Sequence, residues 1–171
     1  MRFILSILSL FLITSTYAQG DYVRSIDKKN KSVVYQGPIS FGDLNREPSF
    51  SWFGLGVQAY TPDSASIRFL RDNLGNYRMI ILLGTWCSDS QDIIPKLYKT
   101  LLLAKYPMSQ ITMFGVDRKK TTLKQEHMFY HLESVPTIIL MKEDKEIARI
   151  VESLNKTIEE DLVALIKKDL P

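Results

Sequence analysis

The feature that most constrains this chain is the unbroken apolar run Met79-Ile80-Ile81-Leu82-Leu83. It has the length and β-branching of a strand covered on both faces, so it belongs at the centre of a sheet that helices shield from water. Small residues follow at Gly84 to Ser90, and Ile93, Ile94, Leu97, Tyr98, Leu101 and Leu102 then recur at helical spacing. After a break at Pro107, Ile111 to Val116 is a second strand. Strand, helix and strand make a parallel βαβ unit with a right-handed crossover. The class is therefore α/β, with a central mixed β-sheet flanked by helices.

The rest of the chain fills in around that unit. A short helix is expected near Leu123 to His131, a strand over Thr137 to Lys142, a charged turn at Glu143-Asp144-Lys145 and a strand over Glu146 to Val151, the last two strands forming a hairpin. A terminal helix begins near Asn155 or Thr157, where Thr157 and Glu160 can form a capping box, and buries Ile158, Leu162, Leu165 and Ile166. Upstream, residues 20–32 are polar and read as a loose lead-in. Between Val33 and Asn76 the expected pieces are a short strand near Val33 to Tyr35, irregular turns around Pro38, Pro48 and Pro62, and a helix over Ser64 to Asn73. The aromatics there, from Tyr35 to Tyr60, suggest an extension packed on the main domain, and core filling accounts for them without a binding role.

With 171 residues, of which 45% are hydrophobic, the chain suffices for one compact domain plus N-terminal structure. The expected division is 1–18 a signal peptide, 19–76 an N-terminal extension and 77–171 the main domain. Arg2, the apolar stretch Phe3 to Ile13 and the small residue Ala18 have the pattern of a cleaved secretory signal. The stretch is shorter than the roughly 20 residues that span a bilayer, which argues against an uncleaved anchor and for no stable membrane insertion after cleavage. The expected location is periplasmic or secreted. A formal charge of +3, without a run of five like charges, gives no reason to expect nucleic acid.

Export places the mature chain where structural cysteines are normally paired, yet it has a single cysteine, Cys87. An internal disulfide is excluded. Cys87 is either a buried small hydrophobe or a thiol that meets sulfur on other molecules. It lies where strand gives way to helix, near unpaired backbone N–H groups and the positive end of a helix dipole, surroundings that favour thiolate. Asp89 opposes this if its carboxylate faces the sulfur and is harmless if it caps the helix. Trp86 can shade the thiol and offer a flat apolar surface to a partner.

Here the sequence resembles the thioredoxin family. Trp86-Cys87-Ser88-Asp89-Ser90 is similar to the family's Trp-Cys-x-x-Cys site with serine at the second cysteine, and Pro95, eight residues after Cys87, matches the proline that kinks the first active-site helix. Val135-Pro136-Thr137 resembles the segment whose cis-proline lies beside the reactive sulfur. The resemblance covers roughly Tyr77 to Leu170 and implies a thioredoxin-like fold, a catalytic Cys87, and a groove in which Trp86, Ser90, Val135 and Pro136 contact the substrate. Protein or low-molecular-weight thiols and disulfides are the implied partners; no cofactor is implied.

The departures are informative. Ser90 cannot resolve a mixed disulfide, because a hydroxyl forms no S–S bond. The buried acid that many thioredoxins carry six residues before the first cysteine is Ile81 here, and a glycine common after the hairpin is Glu152. Monothiol exchange through Cys87 is one reading, and a redox-inactive binding module that holds a partner with the same groove and the aromatic Phe50 to Tyr60 segment is the other. His127 and His131 stand four apart, a spacing at which two imidazoles can hold a metal, but no third ligand accompanies them, so no metal is expected. Asp117 can cap the residues after it, and Arg118, Lys119 and Lys120 read as a solvated basic corner.

Overall fold

A computed structural model of the chain describes residues 21–170. The expected signal segment lies outside the described residues. At the centre is strand β3 (Arg78–Leu83), hydrogen-bonded in parallel to β4 (Ile111–Gly115) and antiparallel to β5 (Thr137–Lys142). β6 (Lys145–Val151) extends the sheet beyond β5 through a hairpin, while β2 (Val33–Ile39) lies antiparallel to β4 and β1 (Val23–Ile26) closes that edge, giving six strands in the order β1-β2-β4-β3-β5-β6. The apolar run divides between the two faces as a period of two requires: Met79, Ile81 and Leu83 join the larger core, Ile80 and Leu82 the smaller. Full burial of such a side chain contributes about 1.5–3 kcal/mol, which is why the central strand tolerates no polar residue between Met79 and Leu83.

The larger face is covered by α4 (Ser88–Leu103), which buries Ile93, Ile94, Leu97 and Leu101, and by α6 (Ile158–Asp169), which buries Ile158, Leu162 and Ile166. Thr157 and Glu160 form the capping box that starts α6. Against these helices pack α1 (Phe41–Arg46), α2 (Ser51–Ala59) and α3 (Ser64–Asn73). Gly56 lets α2 approach α4 closely, since a Cβ there would stand 2.8 Å from the Cβ of Pro95. α6 is tied to the α2–α3 connection by the buried Glu159, whose carboxylate accepts from Tyr60 Oη at 2.5 Å and from the Asp63 N–H at 2.9 Å.

The smaller face, Ile80, Leu82, Phe114 and Ile139, is covered by Tyr130 and Leu132, which follow the single turn α5 (Glu126–Phe129), with Met141 of β5 packed against the same cluster. Arg149 holds that segment through Nη1, which donates to the Tyr130 carbonyl at 3.1 Å. With helices flanking a mixed sheet, and with βαβ followed by helix, hairpin and helix, the fold is thioredoxin-like.

Three expectations need correction. The lead-in is not loose: residues 23–26 are a strand, exposed along its length and held by pairing to β2 rather than by burial. The expected irregular turns contain α1 and α2, the first opened by a Ser40–Asp43 capping box. The helix expected to reach His131 stops at Phe129, and His131 adopts a left-handed φ of 48°.

Candidate functional site

The site begins where β3 ends. The Gly84 N–H donates to Ser90 Oγ at 3.2 Å, and the Cys87 N–H donates to the Gly84 carbonyl at 2.9 Å, folding residues 84–90 into a closed turn against the first turn of α4. Thr85, fully buried, stitches this turn to β2: its Oγ1 donates to the Val33 carbonyl at 3.0 Å and accepts from the Tyr35 N–H at 3.2 Å. Gln91 braces it from α4, Nε2 donating to the Thr85 carbonyl at 2.8 Å. Ser90, expected to line the substrate groove, is fully buried, and its side chain faces the interior. Burial and the bond from Gly84 account for this: the hydroxyl completes the turn.

Cys87 is the N-cap of α4 and is half-buried. Its side chain makes no capping hydrogen bond, whereas Ser40, Asp63 and Thr157 cap α1, α3 and α6 through their side-chain oxygens. The first-turn amides of a 16-residue helix therefore open toward the sulfur without a capping oxygen from the N-cap residue between them. The Sγ lies 3.4 Å from the Val135 carbonyl oxygen, to which the S–H donates, and 3.9 Å from Asp89 Oδ2. Asp89 thus faces the sulfur instead of capping the helix. The Val135–Pro136 peptide bond is cis, and both residues are buried, so it is the backbone carbonyl of Val135, not its side chain, that reaches the sulfur. The structure brings Cys87 and the Val135–Pro136 segment together although Cys87 and Val135 are 48 residues apart in sequence.

Trp86 is held on three sides. Its Nε1–H donates to the Val116 carbonyl at 2.9 Å, and its ring folds over Gly84, where a Cβ would stand 2.7 Å from Cε2. The third contact is the guanidinium of Arg118, whose Cζ lies 4.7 Å from the ring centroid. Arg118 in turn is ion-paired through Nε to Asp27, and this contact holds the Asp27 carboxyl below the usual aspartate range. The ring, expected to offer a flat apolar surface, is partly covered by these contacts, and Arg118 is not simply solvated. Sequence reasoning missed Arg118, Asp27, Thr85 and Gln91 as parts of this site. Arg118 meets Trp86 and Asp27 across long stretches of chain, 91 residues in the second case, and no local pattern records such contacts. A threonine and a glutamine flanking the cysteine turn were a weak local sign for the other two.

Around the site, Asp117 caps the residues that follow, Oδ1 accepting from the N–H groups of Lys119 and Thr121 at 2.9 Å each. His127 Nδ1 lies 2.9 Å from Thr122 Oγ1, and His131 lies beyond the end of α5, so the two imidazoles do not share a helical face. Among the described residues no three His, Cys, Asp or Glu side chains are grouped to hold a metal ion, and no helix is long and apolar enough to cross a membrane.

No protein-family model and no curated protein sequence matches the chain. Solved structures do. A protein of unknown function from Pseudomonas aeruginosa superposes with a TM-score of 0.58 at 15% identity, covering 79% of this chain and 94% of its own. The thioredoxin of Fasciola hepatica matches at 0.39 and 19% identity, over 59% of this chain and 88% of its own. Mitochondrial thioredoxin 3 of Saccharomyces cerevisiae matches at 0.38 and 20% identity, over 67% and 99% respectively. The Pseudomonas protein shares the fold, and at this identity the likeness extends no further.

Proposed function

We propose that this chain is an exported monothiol thioredoxin-like protein that forms mixed disulfides through Cys87 with the thiols and disulfides of proteins or small molecules. The observation that carries this reading is the sulfur's position: at the N-terminus of α4 with no side-chain cap, 3.4 Å from a backbone carbonyl beside which an extended partner can align. In the reaction the Cys87 proton passes to water and the thiolate attacks one sulfur of a partner disulfide. A Cys87–partner S–S bond forms, the partner's S–S bond breaks, and the distal sulfur leaves with the electron pair as a thiolate. The cycle stops there, because the position that would supply a second thiol is the buried Ser90. An external thiol is required to release the partner. The expected location, periplasmic or secreted, suits this chemistry because disulfides persist outside the reducing cytosol.

One observation favours the second reading, a redox-inactive binding module. The side-chain and backbone oxygens that face the sulfur, on Asp89 and Val135, are acceptors suited to an S–H. Alkylation separates the two. Cys87 of a working thiol protein reacts with iodoacetamide at neutral pH at least as fast as a free cysteine does, and the rate follows its thiolate fraction as pH rises. A rate about tenfold or more below that of free cysteine across the range selects the binding module.

A further inference from the structure

We propose that Arg118 is a specificity-determining residue of the Cys87 site and selects protein partners whose reacting sulfur is flanked by acidic residues. The inference rests on the monothiol reading above. Arg118 stacks on the ring of Trp86, the neighbour of Cys87, so its guanidinium is fixed at the rim of the site. Asp27 takes its Nε, and among the described residues no hydrogen bond is made by Nη1 or Nη2. The side chain is 41% exposed, and the unengaged Nη1 and Nη2 form the planar fork that binds a carboxylate through two parallel hydrogen bonds. A lysine would lack that fork, and an unstacked arginine would have to be ordered on binding.

The ion pair with Asp27 has a second effect: it draws the turn between β1 and β2 to the same rim. Lys28 and Lys29 on that turn and Lys119 beside Arg118 are all exposed. Against the two carboxylates there, Asp27 paired with Arg118 and Asp117 held by the backbone of its own loop, stand the four cations Arg118, Lys28, Lys29 and Lys119. The flank of the site beyond Trp86 is therefore cationic over a width greater than one carboxylate, which suits an extended acidic segment. Asp89 stands beside the sulfur itself and disfavours an acidic residue placed directly against it, which sets the direction in which such a segment lies.

The test uses peptides with one cysteine activated as its 2-thiopyridyl disulfide, the cysteine flanked by glutamates, glutamines or lysines. Attack by Cys87 on the peptide sulfur forms the protein–peptide disulfide and releases thiopyridone, which is read by absorbance. Each rate is divided by that with neutral 2,2′-dithiodipyridine. The expected order is Glu over Gln over Lys, with a Glu-to-Lys ratio on the order of tenfold at low ionic strength that shrinks as salt is added. In Arg118→Gln the ratio falls toward one, and in Lys168→Gln, the same charge loss near the end of α6, it stays as in the natural chain. A ratio near one in the natural chain, or one that survives in Arg118→Gln, overturns the inference and leaves the thiol reading standing. No thiopyridone release even from 2,2′-dithiodipyridine overturns both.

Discussion

At the scale of single residues, the described chain uses buried carboxylates as fasteners, and one of them, Glu47, carries a pH dependence. Glu47, at the end of α1, is almost inaccessible, accepts from Arg24 through both oxygens at 2.8 and 3.1 Å, and also accepts from Tyr35 Oη at 2.8 Å. The Arg24 hydrogen bonds, with those of Tyr35 and Ser49, outweigh burial and pull its carboxyl from the ordinary 4.5 down to about 2. A carboxyl harder to protonate in the folded chain than in the unfolded one stabilises fully above about 4.5, and that stability is lost as pH falls toward about 2. The melting temperature of the natural chain should fall across this window, and Glu47→Gln, measured by thermal denaturation at each pH, should fall less steeply while being less stable at neutral pH. Arg118 belongs to the same scale. Its stacking on Trp86 connects a β-hairpin turn, a loop and the cysteine turn, a role that no property of the residue in sequence discloses.

At the scale of elements, Glu152 follows the β5–β6 hairpin with a φ of 64°, while its N–H donates to the Pro136 carbonyl at 2.8 Å. A left-handed backbone costs an L-residue roughly 1–2 kcal/mol, and glycine gives back part of the gain through the entropy of the unfolded chain. Glu152→Gly should raise stability by about 0.5–1 kcal/mol, seen as a shifted denaturant midpoint at constant slope. This position is also where the sequence departs from the thioredoxin pattern, and the backbone explains why a glycine suits it. Elsewhere the elements differed in how legible they were. α3, β5 and the capping box of α6 follow from apolar period and cap residues, and they stand where those placed them. β1 has no buried face to leave a pattern, and its pairing with β2 is what orders it. α2 was hidden by Gly54 and Gly56, poor helix formers, the second of which is needed for contact with Pro95. In the site, the cysteine and the proline before β5 were legible from the family pattern. The burial of Ser90 and the covered face of Trp86 were not, because each depends on how the turn closes.

At the scale of the whole molecule, the segment from β2 to α3 shares one continuous core with the rest: Val33, Phe50, Phe53 and Leu70 belong to the same cluster as Leu97 of α4 and as Ile158, Leu162 and Ile166 of α6. The tie from Tyr60 and Asp63 to the buried Glu159 fastens the same assembly. One face of the sheet therefore carries most of the core, and the cysteine turn sits at its rim, braced by Thr85 against β2 and by Gln91 from α4. The central claim is that this scaffold presents Cys87 as a thiol that reacts once and stops. The most direct measurement is the intact mass of the protein after exposure to a small disulfide under non-reducing conditions, with Cys87→Ser and Ser90→Cys beside it. The account predicts that the natural chain gains the mass of one half-disulfide and keeps it until reductant is added, and that Cys87→Ser gains nothing. Ser90→Cys should release the adduct and end about two mass units lighter than its reduced form, as an internal disulfide. A natural chain that gains no mass while remaining folded, together with a Ser90→Cys variant that forms no internal disulfide, would contradict it.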